Sequence, residues 1–310
     1  MKKAAIAIVM LVLAGAGVGW GLSAPTRISG SEAAALKEGD AARGELVFWA
    51  GGCASCHAAK GASGDDLLKL GGGLRLETPF GVFVAPNISP STADGIGSWS
   101  LVDFANAMTH GTSPDGENLY PAFPYTSYAR MSGADLGDLF AFLKSLPAVD
   151  GKAPPHELGF PFNIRRGLGL WKRLYLDPAP VIAAPAAGVE VDRTLWERGR
   201  YLVEGPGHCG ECHTPRDLAG GLVLAQWLGG APAPTGEGKI PNITPVENGF
   251  GSWSAADIAY YLESGFTPEY DSVGGEMVHV QENMARLPAS DREAIAAYLK
   301  ALPPVPTASD

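Results

Sequence analysis

The stretches GGCASCHAAK, residues 51–60, and HCGECHTPR, residues 208–216, contain all four cysteines of this 310-residue chain. Each cysteine pair is spaced Cys-x-x-Cys with a histidine directly after it: Cys53, Cys56 and His57 in the first, Cys209, Cys212 and His213 in the second. Cysteines three positions apart fit poorly as a structural disulfide, and a redox dithiol gives no reason for the histidine that follows. A zinc site would need further ligands from elsewhere, and no second Cys-x-x-Cys lies near enough in sequence to complete the usual cluster.

Covalent attachment of haem c supplies the missing reason. Both thiols of such a motif add to haem vinyl groups, and the adjacent imidazole is delivered to the iron as its proximal ligand. Two motifs with no cysteine left over therefore imply two covalently bound haems, held by Cys53, Cys56, Cys209 and Cys212, with His57 and His213 as proximal iron ligands.

The two motifs are the strongest part of a longer internal repeat. Cys53 and Cys209 are 156 positions apart (209 − 53), and the match extends outward at nearly the same offset. Arg43-Gly44 corresponds to Arg198-Gly199, Pro86-Asn87-Ile88 to Pro241-Asn242-Ile243, Gly97-Ser98-Trp99-Ser100 to Gly251-Ser252-Trp253-Ser254, and Leu146-Pro147 to Leu302-Pro303. Self-similarity over such a span is the mark of a duplicated unit.

Each copy closes with a helical pattern. Ser132 and Asp135 open a run with Leu136, Leu139, Phe140 and Leu143 on one face, stopped by Pro147; Ser290 and Asp291 precede Ile295, Tyr298, Leu299 and Leu302, stopped by Pro303. Each copy opens with a helix running into its cysteine motif, carrying Gly44 or Gly199 where a second helix can approach closely. A further helix is expected after each tryptophan, from Ser100 to about His110 and from Ser254 to about Gly265, because serine is a good N-cap.

The expected fold is therefore all-α: two tandem haem domains, residues 31–150 and 193–305, joined by a linker over 151–192. The linker contains PAPVIAAPAAG, whose prolines favour extended chain. Its earlier part, FPFNIRRGLGLWKRLYLD, mixes Arg165, Arg166, Lys172 and Arg173 with Phe160, Phe162, Trp171 and Tyr175. It suits either a short helix packed across both domains or a basic docking or membrane-surface element.

Residues 1–24 read as an export signal or a membrane anchor. Lys2 and Lys3 precede the charge-free run Ala4–Leu22, 19 residues long. Ala14-Gly15-Ala16 offers a cleavage site, whereas the length of the run approaches the ~20 residues that span a bilayer and favours retention as an anchor. Either outcome places the remainder outside the cytoplasm, on the periplasmic side of a bacterial inner membrane. The formal charge of −10 makes nucleic acid a poor partner and suits soluble partners with basic docking faces.

With these motifs together, the chain resembles the multihaem cytochrome c subunits of membrane-bound bacterial dehydrogenases, such as those for alcohol and gluconate. The stretches that carry the resemblance are TPFGVFVAPNISPSTADGIGSWS (78–100), HGTSPDGENLYPAFPYTSY (110–128), FPFNIRR (160–166), GPGHCGECHTPRD (205–217) and PNITP (241–245). The resemblance implies class I cytochrome c domains and a carrier that passes electrons from a periplasmic dehydrogenase to quinone, a soluble cytochrome or a terminal oxidase. Catalysis would reside in the partner, and the chain itself would supply no catalytic residue. Many such subunits carry three haem motifs and end in an amphipathic segment, so two motifs here leave membrane attachment to the N-terminal run and the donor open.

The distal iron ligands decide between carrying electrons and reacting with substrate. Met277, in VGGEMVHV, occupies the loop where the resembling proteins place their ligand, with Met284 and His279 as alternatives. In the first copy those proteins commonly have PAMPY where this chain has Pro121-Ala122-Phe123-Pro124-Tyr125, and phenylalanine cannot bind iron. Met131, eight residues later, is the nearest replacement, although its counterpart Leu287 suggests simple packing; Met108 and His110 follow. Trp99 and Trp253 could reach a haem propionate or merely pack, Asn87 and Asn242 are expected to fix loops by side-chain hydrogen bonds, and neither His156 nor His208 is given a metal role. A dihaem peroxidase or thiosulfate-type oxidoreductase is the competing function, and a haem-based sensor lacks a signalling module.

Overall fold

The computed structural model describes residues 2–233 and 238–306. Met1 of the leader and residues 234–237 of the expected second domain lie outside the described residues. The chain begins with α1 (Lys2–Leu22) and α2 (Gly30–Ala35). The first repeat follows with α3 (Ala41–Ala50), α4 (Cys53–His57), α5 (Leu101–His110), α6 (Tyr125–Tyr128) and α7 (Gly133–Ser145). After α8 (Leu168–Tyr175), the second repeat runs through α9 (Arg193–Glu204), α10 (Gly210–His213), α11 (Ala255–Ser264), α12 (Met277–Met284) and α13 (Ala289–Lys300).

The expectation of an all-α chain needs correction. Arg75–Thr78 (β1) and Gly81–Val84 (β2) form an antiparallel hairpin, to which Glu157–Leu158 (β3) adds a third strand. Ala231–Pro232 (β4) pairs with Lys239–Ile240 (β5). Strands this short leave little periodicity to read, and β3 comes from the segment expected to be linker. Arg75 and Glu157 clamp that pairing with two 2.8 Å hydrogen bonds across the sheet.

In each repeat the first and last long helices cross where the earlier one has glycine. A Cβ added at Gly44 would stand 1.9 Å from the Asp138 carbonyl oxygen, and one at Gly199 would stand 1.9 Å from that of Ala294. Only glycine lets the backbones come this close. Around the crossing, Phe48, Leu139 and Leu143 are buried in the first repeat, and Trp196, Ile295 and Tyr298 in the second. A bidentate ion pair closes each crossing: Arg43 to Asp138 at 2.7 and 2.9 Å, Arg198 to Asp291 at 2.8 Å twice. The Arg43 guanidinium lowers the Asp138 carboxyl below its usual range.

The middle helices start as the serines predict. Ser100 and Ser254 each accept from the backbone N–H three residues on, while Asp103 and Asp257 reach back to the serine N–H. This reciprocal box satisfies donors that a helix start leaves free. Ser132 caps α7 by accepting from the Asp135 N–H without the reciprocal bond, its own N–H going to Tyr201, and α13 begins one residue before Ser290 with Pro288 as its N-cap. Lys144 and Lys300, at matching positions in the last helices, donate to the carbonyls of Gly97 and of Phe250 and Gly251, tying each GSWS loop down.

Residues 151–192 are not a bare linker. Trp171 Nε1 on α8 donates to the Ala219 carbonyl at 2.9 Å and Tyr175 donates to Asp217 at 2.7 Å, both in the second repeat. Lys172, 4% exposed, instead reaches into the first repeat, donating to the His110 carbonyl at 2.7 Å and to Gly111 and Thr112. Burial lowers its ammonium to about 8. Further along, the Val181 and Ile182 N–H groups donate to the buried carboxylate of Glu204 at 2.7 and 3.0 Å, and Tyr298 donates to it at 2.7 Å. The connecting chain is thus bolted to both repeats, as the packed-helix reading of FPFNIRRGLGLWKRLYLD anticipates.

Gly199→Ala will lower unfolding stability by about 1–3 kcal/mol, the usual cost of forcing a methyl into a filled contact. Gly167→Ala, where an added Cβ meets nothing within 4 Å, will not. Denaturant titration of the two variants against the parent checks the contrast.

Candidate haem-binding centres

Each cysteine motif is a short helical turn set off by a break in the chain. α3 ends at Ala50, and Gly52, with φ of 56°, turns the chain in the left-handed region before α4 begins. In the second repeat the break is Gly205-Pro206-Gly207-His208, with His208 at a φ of 38°, before α10. The i, i+3, i+4 spacing of Cys53, Cys56 and His57 puts the three side chains on one side of that turn, and the same spacing recurs at Cys209, Cys212 and His213.

Both imidazoles are oriented identically. His57 Nδ1 lies 2.8 Å from the Pro86 carbonyl and His213 Nδ1 lies 2.8 Å from that of Pro241. A carbonyl only accepts, so Nδ1 carries the proton and Nε2 keeps the lone pair a metal requires. Burial lowers both histidines below their ordinary range and favours the neutral ligating form. The loops that hold the two carbonyls are fixed as expected by asparagine. Asn87 donates to Val149 and Gly151 and accepts from Ser89 N–H; Asn242 donates to Val305 and accepts from Thr244.

All four thiols are unpaired, so no disulfide competes for them. Although part of the surface of Cys53 and Cys209 is open, surrounding protein desolvates both and pushes their thiols up to about 12. Among the described residues no group of three or more His, Cys, Asp or Glu side chains is arranged to hold a metal ion directly. One imidazole nitrogen beside two unpaired thiols is the donor set of a covalent haem c site.

The methionines differ in placement. Met131, 7% exposed, and Met108, 6% exposed, line one small cavity with Cys53 and Tyr128. Phe123, at the PAMPY position, packs edge-on against Tyr128 at 5.5 Å. The His110 Nδ1 lies 2.8 Å from Thr109 Oγ1, and the residue borders a larger cavity of about 570 Å³ together with Lys172, which Met131 also lines and Cys53 does not. In the second repeat Met277 opens α12, half-buried against the core, and Met284 closes it, 4% exposed. His279 lies on the surface beside Glu282. Trp253 stacks on Phe250 at 4.8 Å and meets Tyr261 edge-on, which is packing. His156 accepts from the Val84 N–H and sits between Phe83 and Tyr120.

Sequence reasoning missed how closely the two motifs meet. Glu211, inside the second motif, accepts from Thr126 and Ser127 of the first repeat at 3.0 and 2.8 Å and pairs with Arg216. His208 Nε2 lies 3.2 Å from the Gly51 carbonyl, and its ring meets Tyr128 edge-on. Asn283 donates to Ser55, inside the first motif, at 2.9 Å. Cys56 and Cys212 are near enough that, after burial, the charge of Cys212 is the next cause raising the Cys56 thiol. Only the unassigned variable positions within the motifs, Ser55 and Glu211, hinted at this, and a sequence gives no partner for them.

Residues 41–147 match the cytochrome c family. A dihaem c-type cytochrome of Cereibacter sphaeroides is 52% identical over 305 residues, covering 98% of this chain and 100% of that protein. The chain belongs to the c-type cytochromes. This cytochrome therefore carries covalently bound haem c, and the relative that it matches end to end is a dihaem protein. Its other relatives include the cytochrome subunit of fructose dehydrogenase from Gluconobacter japonicus, 37% identical over 84% of this chain and 52% of that subunit. The cytochrome c subunit of gluconate 2-dehydrogenase from Pantoea cypripedii is 35% identical over 84% of this chain and 59% of that subunit. The cytochrome thus spans little more than half the length of these dehydrogenase subunits.

Asn87→Ala will destabilise the cytochrome by about 1–3 kcal/mol, because it leaves the buried Ser89 N–H without its acceptor and removes one donor each from the carbonyls of Val149 and Gly151. Thermal unfolding of the purified variant, compared with an exposed Asn163→Ala control, measures that loss.

Proposed function

We propose that this cytochrome is a dihaem electron carrier built from two tandem cytochrome c domains, residues 31–150 and 193–305. It takes electrons from a periplasmic dehydrogenase and delivers them to quinone, a soluble cytochrome or a terminal oxidase. The observation that carries this reading is the direct contact between the two cysteine turns. His208, just before the second turn, reaches Gly51, just before the first; Glu211 of the second turn binds α6 of the first repeat, and Asn283 of α12 binds Ser55 of the first turn, so the two cofactor sites are neighbours rather than remote ends of a chain.

In this reading Cys53 and Cys56 hold one haem and Cys209 and Cys212 the other, with His57 and His213 as proximal ligands. Haem iron supplies a one-electron couple whose potential follows from its axial ligands and burial. The protein's part is to fix that environment. The Pro86 and Pro241 carbonyls hold the imidazoles as neutral ligands in one tautomer. Met131 is the distal candidate beside Cys53, and its shared cavity with that cysteine supports it over His110; Met277 is the candidate for the second site. The contacts between the turns keep the separation of the sites constant, which a rate of electron passage requires.

The anchor reading of α1 belongs with this proposal. A 21-residue helix rises about 31 Å, enough for the ~30 Å hydrocarbon core, and its apolar side chains are exposed throughout. It would hold the cytochrome on the periplasmic side of the membrane, beside membrane-bound donors and acceptors.

The purified protein will contain two haems by pyridine haemochrome assay, and Cys209→Ala with Cys212→Ala will halve that content. Met131→Ala and Met277→Ala will each remove part of the methionine-to-iron charge-transfer absorption; an unchanged band eliminates that residue as a ligand. Rapid peroxide turnover by the parent would instead favour the peroxidase reading.

A further inference from the structure

We propose that the segment Phe160–Tyr175, with α8 at its centre, is a second membrane contact that lies in the headgroup layer beside the exit of α1. The inference rests on the reading of α1 as a retained anchor. It goes beyond that reading by giving the soluble part a fixed seat on the bilayer.

Four contacts place α8 at the end of α1. Arg166 donates to Ser23 Oγ at 3.0 Å and to the Trp20 carbonyl at 2.6 Å, and Arg173 donates to the Leu22 carbonyl at 2.6 Å. Gly169 lies against Ser23 so tightly that a Cβ there would be 2.0 Å from the Ser23 carbonyl oxygen. The Arg166 guanidinium also covers the Trp20 ring at 4.1 Å. These bonds satisfy carbonyls that the last turn of a helix leaves open, and they fix α8 at the height where an apolar spanning helix meets water.

At that height α8 has one face without a protein neighbour. Gly169 and Lys172 point inward and Trp171 and Tyr175 reach the second repeat, which leaves Leu170 43% exposed and Leu174 77% exposed, one turn apart. Just upstream, Phe160 is 81% exposed and Ile164 51%. Of the four cations in residues 160–175, Lys172 is buried, while Arg165, Arg166 and Arg173 remain at or near the surface with no acid in the segment, Arg165 pairing with Glu117 at 3.7 Å. Exposed leucines and phenylalanine with arginines among them are the chemistry of an interfacial element on anionic lipid. Trp20, 68% exposed, has the amphipathic ring that settles at the same layer. A protein partner would explain the leucines, but not their fixed position at the end of an apolar helix.

The test uses the full haem-loaded chain in phosphatidylcholine–phosphatidylglycerol vesicles. Because haem attachment consumes the native thiols, a nitroxide can be placed on a single added cysteine: Leu170→Cys, Leu174→Cys, or Tyr260→Cys on α11 as a control that is also exposed. The ratio of collisions with oxygen to collisions with a water-soluble nickel chelate will be several-fold higher at 170 and 174 than at 260. Equal ratios at all three sites overturn the proposal. Protection of 170 and 174 from both reagents also overturns it, in favour of a protein partner. Intact mass of the purified chain separates the two readings: a chain that has lost residues 1–22 refutes the anchor and this seat together, whereas a chain that keeps them with water-exposed labels refutes the seat alone.

Discussion

The fold depends on two backbone contacts, α3 against α7 at Gly44 and α9 against α13 at Gly199. At each the space for a methyl group is already filled by a carbonyl oxygen of the later helix. That closeness determines how far the rest of each repeat can spread. It sets the cysteine turn, which continues from the earlier helix, in a fixed relation to the loops that end at the later one. The imidazole of each turn then meets a proline carbonyl at the same 2.8 Å in both repeats. Ion pairs at the crossings secure the arrangement but do not define it, since Asp138 and Asp291 occupy different positions on their helices and serve equally well.

What the sequence reveals and what it hides follow from the range of the interactions. The cysteine turns, capping serines, loop asparagines and crossing glycines act locally or repeat in both copies, and all are legible. The small sheets are not: β3 is two residues long and pairs with a strand more than seventy positions earlier, so no local pattern marks it. The same holds for residues 151–192, where prolines and alanines suggest a tether. Glu204 nevertheless captures two backbone N–H groups there through a pairing that only the folded chain creates. His208 looks like a bystander in sequence, yet it touches the opposite cysteine turn. The PAFPY departure illustrates the converse, since the sequence shows what Phe123 cannot do while its contact with Tyr128 shows what it does.

Where the repeats meet, polar side chains tie them together. Glu211, Thr126, Ser127, His208, Asn283 and Ser55 meet through directed hydrogen bonds, while Arg286 lies over the Trp49 ring at 4.0 Å. Hydrogen bonds fix orientation more narrowly than apolar contact, because each tolerates little change in distance or angle. A carrier gains from that restriction, since passage between neighbouring sites depends on separation more than on affinity. α8 joins the repeats at a second place, and the Glu204 clasp ties the connecting chain to the second repeat.

The desolvated thiols carry a consequence for how the protein is made. Surrounding protein desolvates Cys53 and Cys209 and disfavours the thiolate of each. A finished fold is thus a poor substrate for forming thioether bonds. Haem attachment is favoured while the glycine crossings are still open and both sulfurs meet water.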